Sequence, residues 1–556
     1  MSLDGITINA LIAEQKNILI GARVNKIFQP SKFEIVFNLY NGNNFNFAIS
    51  IHPDYYRLGF THYIKPNPTN AMNFCMLLRK HLTSSKITNV KTFNMDRIIW
   101  IDFEGSNELK DTINLKLVIE LMGRRSNIIL LNEKDYILDS LKHIITKERE
   151  ILPARFYSLP AQEKGSIEFV ASFDEFYSII SQQSYTNLSD YLPNIFNGFS
   201  KSFIQEALKE CGVDDNTKDV SDLRELFEYF KNIIANFGTK NISCKEIEGN
   251  LIVSLEPQTL SINDFIDNYI HNKEIQDVFS KNKNELSKEI LVALKKTSKK
   301  LDNINKKLKS CEGMEKYKLY GELLTANLYK YKADYALPEI QVENYYDENK
   351  LITIPLDTNI SYSKNAERFF KKYNKLKNTL SVVTAQKKET ELEIEYIESI
   401  VSSVSLAENI NDIEEIHNEF TENVQMKKMN LKSYQKLDID KNLTNNLNKI
   451  TINNYDVYIG KNNKQNDYLT LHFADKSDIW FHAQDFHGAH VILKTNGKIP
   501  DDDTIFKCAQ IAKLNSKASL EKNVSVDYTY IKYIKKHPNG KTGMVSYTNF
   551  KTIIVP

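Results

Sequence analysis

The sequence predicts a multidomain α+β chain. A mixed α/β unit comes first, then a block of short helices, then an antiparallel coiled-coil arm with a small middle unit, and last a β-rich unit. Three observations predict this. The chain has 556 residues, more than one core accommodates, since domains run to roughly 100–200 residues. Apolar and polar residues alternate in the first and last stretches, as in half-buried strands. In the middle an apolar period of 3.5 residues takes over, as in coiled coils.

The elements follow in order. Residues 4–15 read as a helix, with Ile6, Ile8, Leu11 and Ile12 apolar. Residues 24–29, 33–39 and 44–51 alternate as strands, and Asn41-Gly42 between the last two is a hairpin turn signal. Residues 71–82 read as a helix; 90–93, 97–103, 115–121, 127–131 and 136–140 read as further strands. Over 185–240 the period becomes helical. There Asn197-Gly198-Phe199-Ser200 joins two short helices, with Ser200 as N-cap of a helix at 201–211. A glycine turn between short helices is the shape of a helix-hairpin-helix, whose amides can hold phosphate; an ordinary helical turn reads the same way.

The arm is the clearest architectural signal. A first heptad series steps through Ile290, Leu294, Thr297, Leu301, Ile304 and Leu308. A second runs Phe369, Tyr373, Leu376, Leu380, Val383, Lys387, Thr390, Ile394, Ile397, Val401 and Val404. Two such helices fold back most simply as a hairpin reaching about 50 Å; the alternative is an intermolecular coiled coil. Between them, residues 339–346 and 351–355 look strand-like. A polar linker is expected at 441–448. From about residue 450 the chain reads as β-rich with one helix at 504–514.

Composition excludes several classes. Hydrophobic residues make up 42% and charged residues 26%, which suits a soluble folded chain. The net charge of +1 points to no partner, so any basic patch must be local. Five scattered cysteines, Cys75, Cys211, Cys244, Cys311 and Cys508, fit a reducing compartment better than a disulfide framework. No run approaches ~18 apolar residues, and the first residues read as a helix, not a signal peptide. A cytoplasmic protein with no membrane contact is expected.

Basic residues concentrate at the C-terminus: from residue 441 on, 16 Lys stand against 10 Asp plus Glu. Gly460 to Asp467 is a polar cluster that includes Lys461, Asn462, Asn463, Asn466 and Asp467. Trp480, His482 and His490 follow. Lys532, Lys535, Lys536, His537 and Lys541 lie close to Tyr528, Tyr530 and Tyr533. Lysines neutralise phosphates and aromatics stack on unpaired bases, so the mixture suits RNA; a solvated basic face is the plainer reading. His482, His487 and His490 could bind zinc, but their spacing fits no common zinc motif, and no metal or other cofactor is expected. No nucleophile stands beside them, so no catalytic residue is assigned. In the N-terminal unit, Asp96-Arg97 opens an apolar strand. Glu120-Leu121-Met122-Gly123-Arg124-Arg125 is a strand end, a glycine turn and two arginines whose forks suit phosphate. A surface turn with a structurally paired Glu120 is equally compatible.

Together these segments resemble the NFACT family, in its bacterial RqcH-like branch, also labelled fibronectin-binding protein A and homologous to eukaryotic NEMF. The resemblance rests on Ser2-Leu3-Asp4-Gly5-Ile6-Thr7, Asp96-Arg97, Glu120 to Asn127, Ile137-Leu138-Asp139-Ser140 and Gly321 to Asn327. It rests further on Gly460 to Asp467, Asp478-Ile479-Trp480-Phe481-His482 and Val526-Asp527-Tyr528-Thr529. It implies a domain similar to DNA glycosylases at 1–178, a helix-hairpin-helix domain at 179–270, a coiled-coil arm at 271–435 with a middle domain near 312–363, and an RNA-binding domain at 445–556.

It also implies a non-enzymatic role in ribosome-associated quality control. Such a protein binds large ribosomal subunits obstructed by peptidyl-tRNA, through rRNA and stalk-base proteins. It recruits alanyl-tRNA for template-free alanine tailing and works with a small RqcP-like RNA-binding cofactor. Asp96, Arg97, Glu120, Met122, Arg124 and Arg125 become tRNA-binding candidates. Lys461, Asn462, Asn463, Asn466, Asp467, Trp480, His482, His490, Lys535 and Lys536 become RNA-binding candidates. Two features depart from the pattern. Ser2-Leu3 replaces the Pro-Glu start of the glycosylases, removing their nucleophile. His487-Gly488-Ala489-His490 stands where Pro-Gly-Ser-His is usual. A fibronectin-binding surface adhesin is the rival from another class; a DNA-processing enzyme is the third reading, which the Ser2-Leu3 start opposes.

Overall fold

The computed structural model describes residues 2–106, 111–161, 163–331, 336–425, 447–538 and 541–556. The chain forms two compact units, Met1–Gln276 and Asp277–Pro556.

In the first unit, β1 (Ser2–Leu3) leads into α1 (Gly5–Leu19), where the Asp4 carboxylate caps the helix by accepting from the Thr7 N–H at 2.9 Å. Then come β2 (Arg23–Ser31), β3 (Glu34–Asn41), β4 (Asn43–Ser50), β5 (Arg57–Phe60), α2 (Asn73–Leu82), β6 (Lys86–Thr92), β7 (Ile98–Ser106), β8 (Thr112–Glu120), β9 (Asn127–Asn132) and β10 (Ile137–Ser140). The strands join in one nine-stranded antiparallel sheet, ordered β10-β9-β8-β7-β6-β2-β3-β4-β5. Gly42 turns the β3–β4 hairpin at φ 77°, where the Asn-Gly pair signals it.

The middle strands are covered on both faces. Ile99, Ile101, Leu117 and Ile119 enter the main core, while Ile98, Val118, Ile129 and Leu131 enter a second cluster on the opposite face. This is why 128–131 reads as a continuous apolar run.

A short pair, β11 (Ile144–Ile145) and β12 (Glu150–Ile151), precedes α3 (Phe173–Ile180), α4 (Leu188–Ile195), α5 (Lys201–Cys211) and α6 (Val220–Ala235). Ser200 caps α5, its hydroxyl accepting from the Phe203 N–H at 3.1 Å. These helices pack on a phenylalanine cluster that includes Phe176, Phe196, Phe203 and Phe230. A hairpin the sequence did not announce follows, β13 (Ser243–Ile247) and β14 (Asn250–Ser254). β14 pairs in parallel with β1, tying the first residues to a segment far along the chain. Helix α7 (Ile262–Cys311) gives Ile262, Ile266 and Ile270 to this unit's core.

The second unit holds the heptads, on α7 and on α9 (Tyr362–Leu406). Every position of both series is buried or half-buried, including Lys387 and Thr390. The pairing is antiparallel within the chain: Lys283 donates to the Ser405 carbonyl at 3.0 Å, and Lys300 reaches Glu393 at 3.3 Å. Between them α8 (Glu315–Ala326) packs on the hairpin β15 (Glu339–Asn344) and β16 (Lys350–Pro355), with Leu323, Leu324, Ile340 and Ile354 buried among them. Gly321 lets α8 approach α9 closely, since a Cβ there would stand 2.9 Å from the Phe370 ring. Helix α10 (Ile410–Phe420) folds against α9 through Tyr396, Ile400, Ile413 and Ile416.

Most of the linker expected at 441–448 lies outside the described residues; Asn448 itself begins β17. The C-terminal sheet runs β17 (Asn448–Ile452), β18 (Tyr455–Ile459), β20 (Val491–Lys494), β19 (Ile479–Ala483), β21 (Val524–Tyr530), β24 (Lys551–Val555) in spatial order. β22 (Ile534–Lys536) and β23 (Val545–Tyr547) form a separate hairpin. Helix α12 (Asp502–Leu514) covers one face, capped by Asp501. The expectation of a single helix here needs correction: Asn463–Tyr468 is a further short helix, α11, capped by Asn462. No helix among the described residues is long and apolar enough to cross a membrane.

Candidate nucleic-acid interfaces

β7 and β8 are antiparallel neighbours with Ile98 opposite Glu120. The residues before β7 and after β8 therefore share one end of the sheet, which brings Asp96-Arg97 beside Glu120 to Arg125. The Leu121 N–H donates to the Arg97 carbonyl at 2.9 Å. Asn94 and Met95 turn the chain into β7 in the left-handed region, at φ 49° and 57°. Such backbone in a bulky residue persists only where its surroundings fix it. Here they do. Met95 is buried, and Gly5 and Gly198 press against its carbonyl so closely that a Cβ on Gly198 would stand 2.6 Å from that oxygen. The Asp96 carboxylate then accepts from the Arg97 N–H at 2.7 Å.

The N-terminal segment and the α4–α5 turn meet the same place. Ile6 N–H donates to the Gly198 carbonyl at 3.1 Å, and the Ser200 hydroxyl donates to Asp4 at 2.8 Å. The Leu3 N–H donates to the Tyr56 hydroxyl at 3.1 Å. Burial pushes the Asp4 carboxyl above the usual carboxylate range, opposed by hydrogen bonds from Thr7 and Ser200 and then by the Arg97 charge. Burial likewise raises Tyr56, again against the pull of Arg97. Arg97 thus has an electrostatic environment, Asp4 and Tyr56, that the sequence did not disclose. An aspartate ahead of a helix reads only as a cap, and Tyr56 belongs to no local pattern.

Glu120 is 1% exposed. One Arg149 guanidinium nitrogen donates to its Oε2 at 3.0 Å and a second to its Oε1, while the Tyr157 hydroxyl donates to Oε1 at 2.8 Å. Burial raises the Tyr157 hydroxyl well above its ordinary value, and the Glu120 charge adds to the rise. The Glu120 side chain is therefore occupied inside the protein, and Arg149 and Tyr157 are the partners sequence reading missed. Met122 is half-buried against the Tyr157 cluster. What this end offers outward is Arg124 and Arg125, exposed on a single 3-10 turn with Gly123 at φ 60°; neither makes an ion pair among the described residues.

The C-terminal candidates separate into an inner and an outer set. Asn462, Asn463, Asn466, Trp480 and His490 are all buried. Asn462 donates to Glu415 at 2.9 Å and Asn463 to Glu419 at 2.9 Å, fastening α11 to α10. Asn466 accepts from the His490 N–H at 2.9 Å and donates to the Gly488 carbonyl at 3.2 Å, fastening α11 to the segment that leads into β20. Lys461 lies 3.6 Å from Asp412 and also pairs with Glu408. The asparagine side chains and Lys461 are spent on internal bonds rather than presented to solvent. Lys535 and Lys536 are exposed on β22, with Lys536 3.9 Å from Asp467.

His482 lies on β19, stacked parallel to Trp480 at 5.5 Å, with His490 edge-on to both. Burial lowers His482 to about 4, and His487 and His490 are lowered for the same reason, so all three imidazoles are neutral at pH 7. Among the described residues no cluster of His, Cys, Asp or Glu is arranged to hold a metal ion. Gly488, between His487 and Ala489, serves packing. Its φ is not in the left-handed region; it permits close approach, a Cβ there lying 2.6 Å from that of Ser516.

A family model described as NFACT N-terminal and middle domains matches residues 4–438, and one described as NFACT protein RNA binding domain matches residues 447–549. The chain is 33% identical to the Rqc2 homolog RqcH of Bacillus subtilis over 100% of this chain and 98% of that one. It is 30% identical to the Rqc2 homolog RqcH of Streptococcus suis, again over 100% of this chain and 98% of the other. Among solved structures, the C-terminal part of the fibronectin/fibrinogen-binding protein of Streptococcus suis is 29% identical, covering 50% of this chain and 94% of that one with a TM-score of 0.37. Matched by both models and by relatives along its whole length, this chain belongs to the NFACT family.

Proposed function

We propose that this protein is a cytoplasmic ribosome quality control factor. In this reading it binds large subunits that hold peptidyl-tRNA, through rRNA and stalk-base proteins, and recruits alanyl-tRNA for template-free alanine tailing with an RqcP-like cofactor. Full-length similarity to proteins named RqcH and the match to an RNA-binding domain support the general role. The observation that carries the tRNA assignment is the sheet end where Asp96-Arg97 meets two adjacent exposed arginines, Arg124 and Arg125. Guanidinium forks there can bind phosphate bidentately. Glu120 and Met122 set the turn that carries them. Lys535 and Lys536 add exposed charge for RNA in the second unit, while the buried Asn462, Asn463, Asn466, Trp480 and His490 shape that module from within. Peptide-bond formation is assigned to the ribosome.

We place the parts as an N-terminal domain at 1–178 of glycosylase-like fold, a helix-hairpin-helix at 179–270, the arm at 271–435 and the RNA-binding module at 445–556. The test is recovery of tagged protein from translating cells. Large subunits with peptidyl-tRNA and alanyl-tRNA should co-purify, and the stalled chains should carry alanine tails. Recovery without ribosomal RNA or tRNA would overturn the reading, and capture of fibronectin in their place would favour the adhesin.

A further inference from the structure

The second unit contains a cavity of about 440 Å³ whose contents the proposed function does not specify. That volume lies within the roughly 300–1,000 Å³ of small-molecule sites. One wall is the α9 face carrying Ser399, Ser402 and Ser403; the other is built from Trp480, His482 and Tyr547 of the C-terminal module. We propose that this cavity accepts a single unpaired nucleobase flipped out of an RNA strand, an inference that rests on the RNA-binding reading above.

Three features select a base. First, the walls offer flat rings. His482 and Tyr547, both half-buried, line the cavity and pack on the buried Trp480 behind them, with ring centroids 5.5 and 4.8 Å from the indole. Ring faces of this kind stack on bases whatever their sequence. Second, polar edges are left open. Trp480 is 0% exposed, and its indole N–H has no hydrogen-bond partner among the described residues; the same holds for the buried His537 Nδ1 at the cavity wall. Buried polar atoms in native proteins are satisfied with few exceptions, so two such atoms on residues lining one cavity call for a partner. The donors and acceptors on a base edge supply one. Third, the wall charge is wrong for a phosphate. Among the described lining residues Lys461 is already paired with Glu408 and Asp412, Glu395 and Asp485 are acidic, and burial disfavours the charged form of His482, His487 and His490. A neutral planar ring fits this wall, while the phosphates remain outside with exposed lysines such as Lys535.

The experiment uses the full chain with Trp100→Phe, which leaves Trp480 as the sole tryptophan. The probes are a ten-nucleotide oligouridylate, the same strand made wholly of abasic ribose phosphate, and free uridine. The base-bearing strand should change Trp480 emission and bind about five- to a hundredfold more tightly than the abasic strand. Uridine at high concentration should give the same emission change, placing the base itself in the cavity. Ser403→Phe, which fills the cavity from the arm side, and Asp485→Trp in a Trp480-containing filter-binding assay, which blocks it from an exposed position, should each reduce base-bearing affinity to the abasic level. Equal binding of the two strands to the parent, or undiminished preference in the exposed-site variant, would overturn the pocket while leaving RNA binding standing. Failure of both strands to bind would overturn the RNA reading and the pocket with it.

Discussion

Arg149→Ala tests the account of the N-terminal site most directly. Glu120 is 1% exposed and accepts two guanidinium N–H bonds and one hydroxyl bond. Two unit charges ~4 Å apart at an effective dielectric constant of ~20 attract by roughly 4 kcal/mol. Losing the arginine removes that attraction and leaves a carboxylate that water cannot reach, so the N-terminal unit should lose about 3–5 kcal/mol. Tyr157→Phe removes one hydrogen bond to the same charge and should cost less, about 1.5–3 kcal/mol. The double replacement Glu120→Gln, Arg149→Met eliminates both charges and should be less damaging than Arg149→Ala alone. Trp100 is a local reporter, since it packs edge-on against Tyr157 with ring centroids 6.0 Å apart. In a Trp480→Phe background its emission through a urea titration follows the N-terminal unit. If Arg149→Ala unfolds within about 1 kcal/mol of its parent, or the double variant is as costly as the single one, Glu120 is not held as a buried ion by Arg149.

Four further outcomes are expected. Asp96→Ala with Arg97→Ala should abolish alanine tailing while the Trp100 urea transition stays cooperative, since backbone hydrogen bonds and the buried Met95 also hold this turn; tailing at the parent rate would refute the tRNA role. Lys535→Ala with Lys536→Ala should lower the slope of log affinity against log salt for single-stranded RNA by about 1.4, read by filter binding, since each of two phosphate contacts contributes about 0.7. Gly460→Ala should cost the C-terminal module about 1–3 kcal/mol in a Trp480-monitored melt, because a Cβ there drives into Asn466, whose backbone nitrogen would be 3.0 Å away. The same module should weaken in acid. His482 is lowered from 6.5 to about 4, so its stabilising effect is complete above pH 6.5 and is lost as the pH falls toward 4, amounting to about 2 kcal/mol by pH 5; a His482→Phe variant should show a flatter dependence.

Most of the elements were legible in the amino-acid order, though the β13–β14 hairpin and α11 were not. Alternation located the strands of the first sheet, Asn41-Gly42 located a hairpin, Ser200 located a helix start, and the heptads located the arm, because each signal acts over a few residues of chain. It also carried the family, through motifs in order. It was weakest where contacts join distant segments. Nothing local marks β14 as the partner of β1, Arg149 as the partner of Glu120, or Asp4 and Tyr56 as neighbours of Arg97. The polar run from Gly460 to Asp467 shows the limit best. Polar residues in sequence read as exposed, yet Asn462, Asn463 and Asn466 are buried because Glu415, Glu419 and a backbone carbonyl and amide stand ready to bond them. Burial of a polar side chain depends on the partner it meets, and only the tertiary structure supplies that partner.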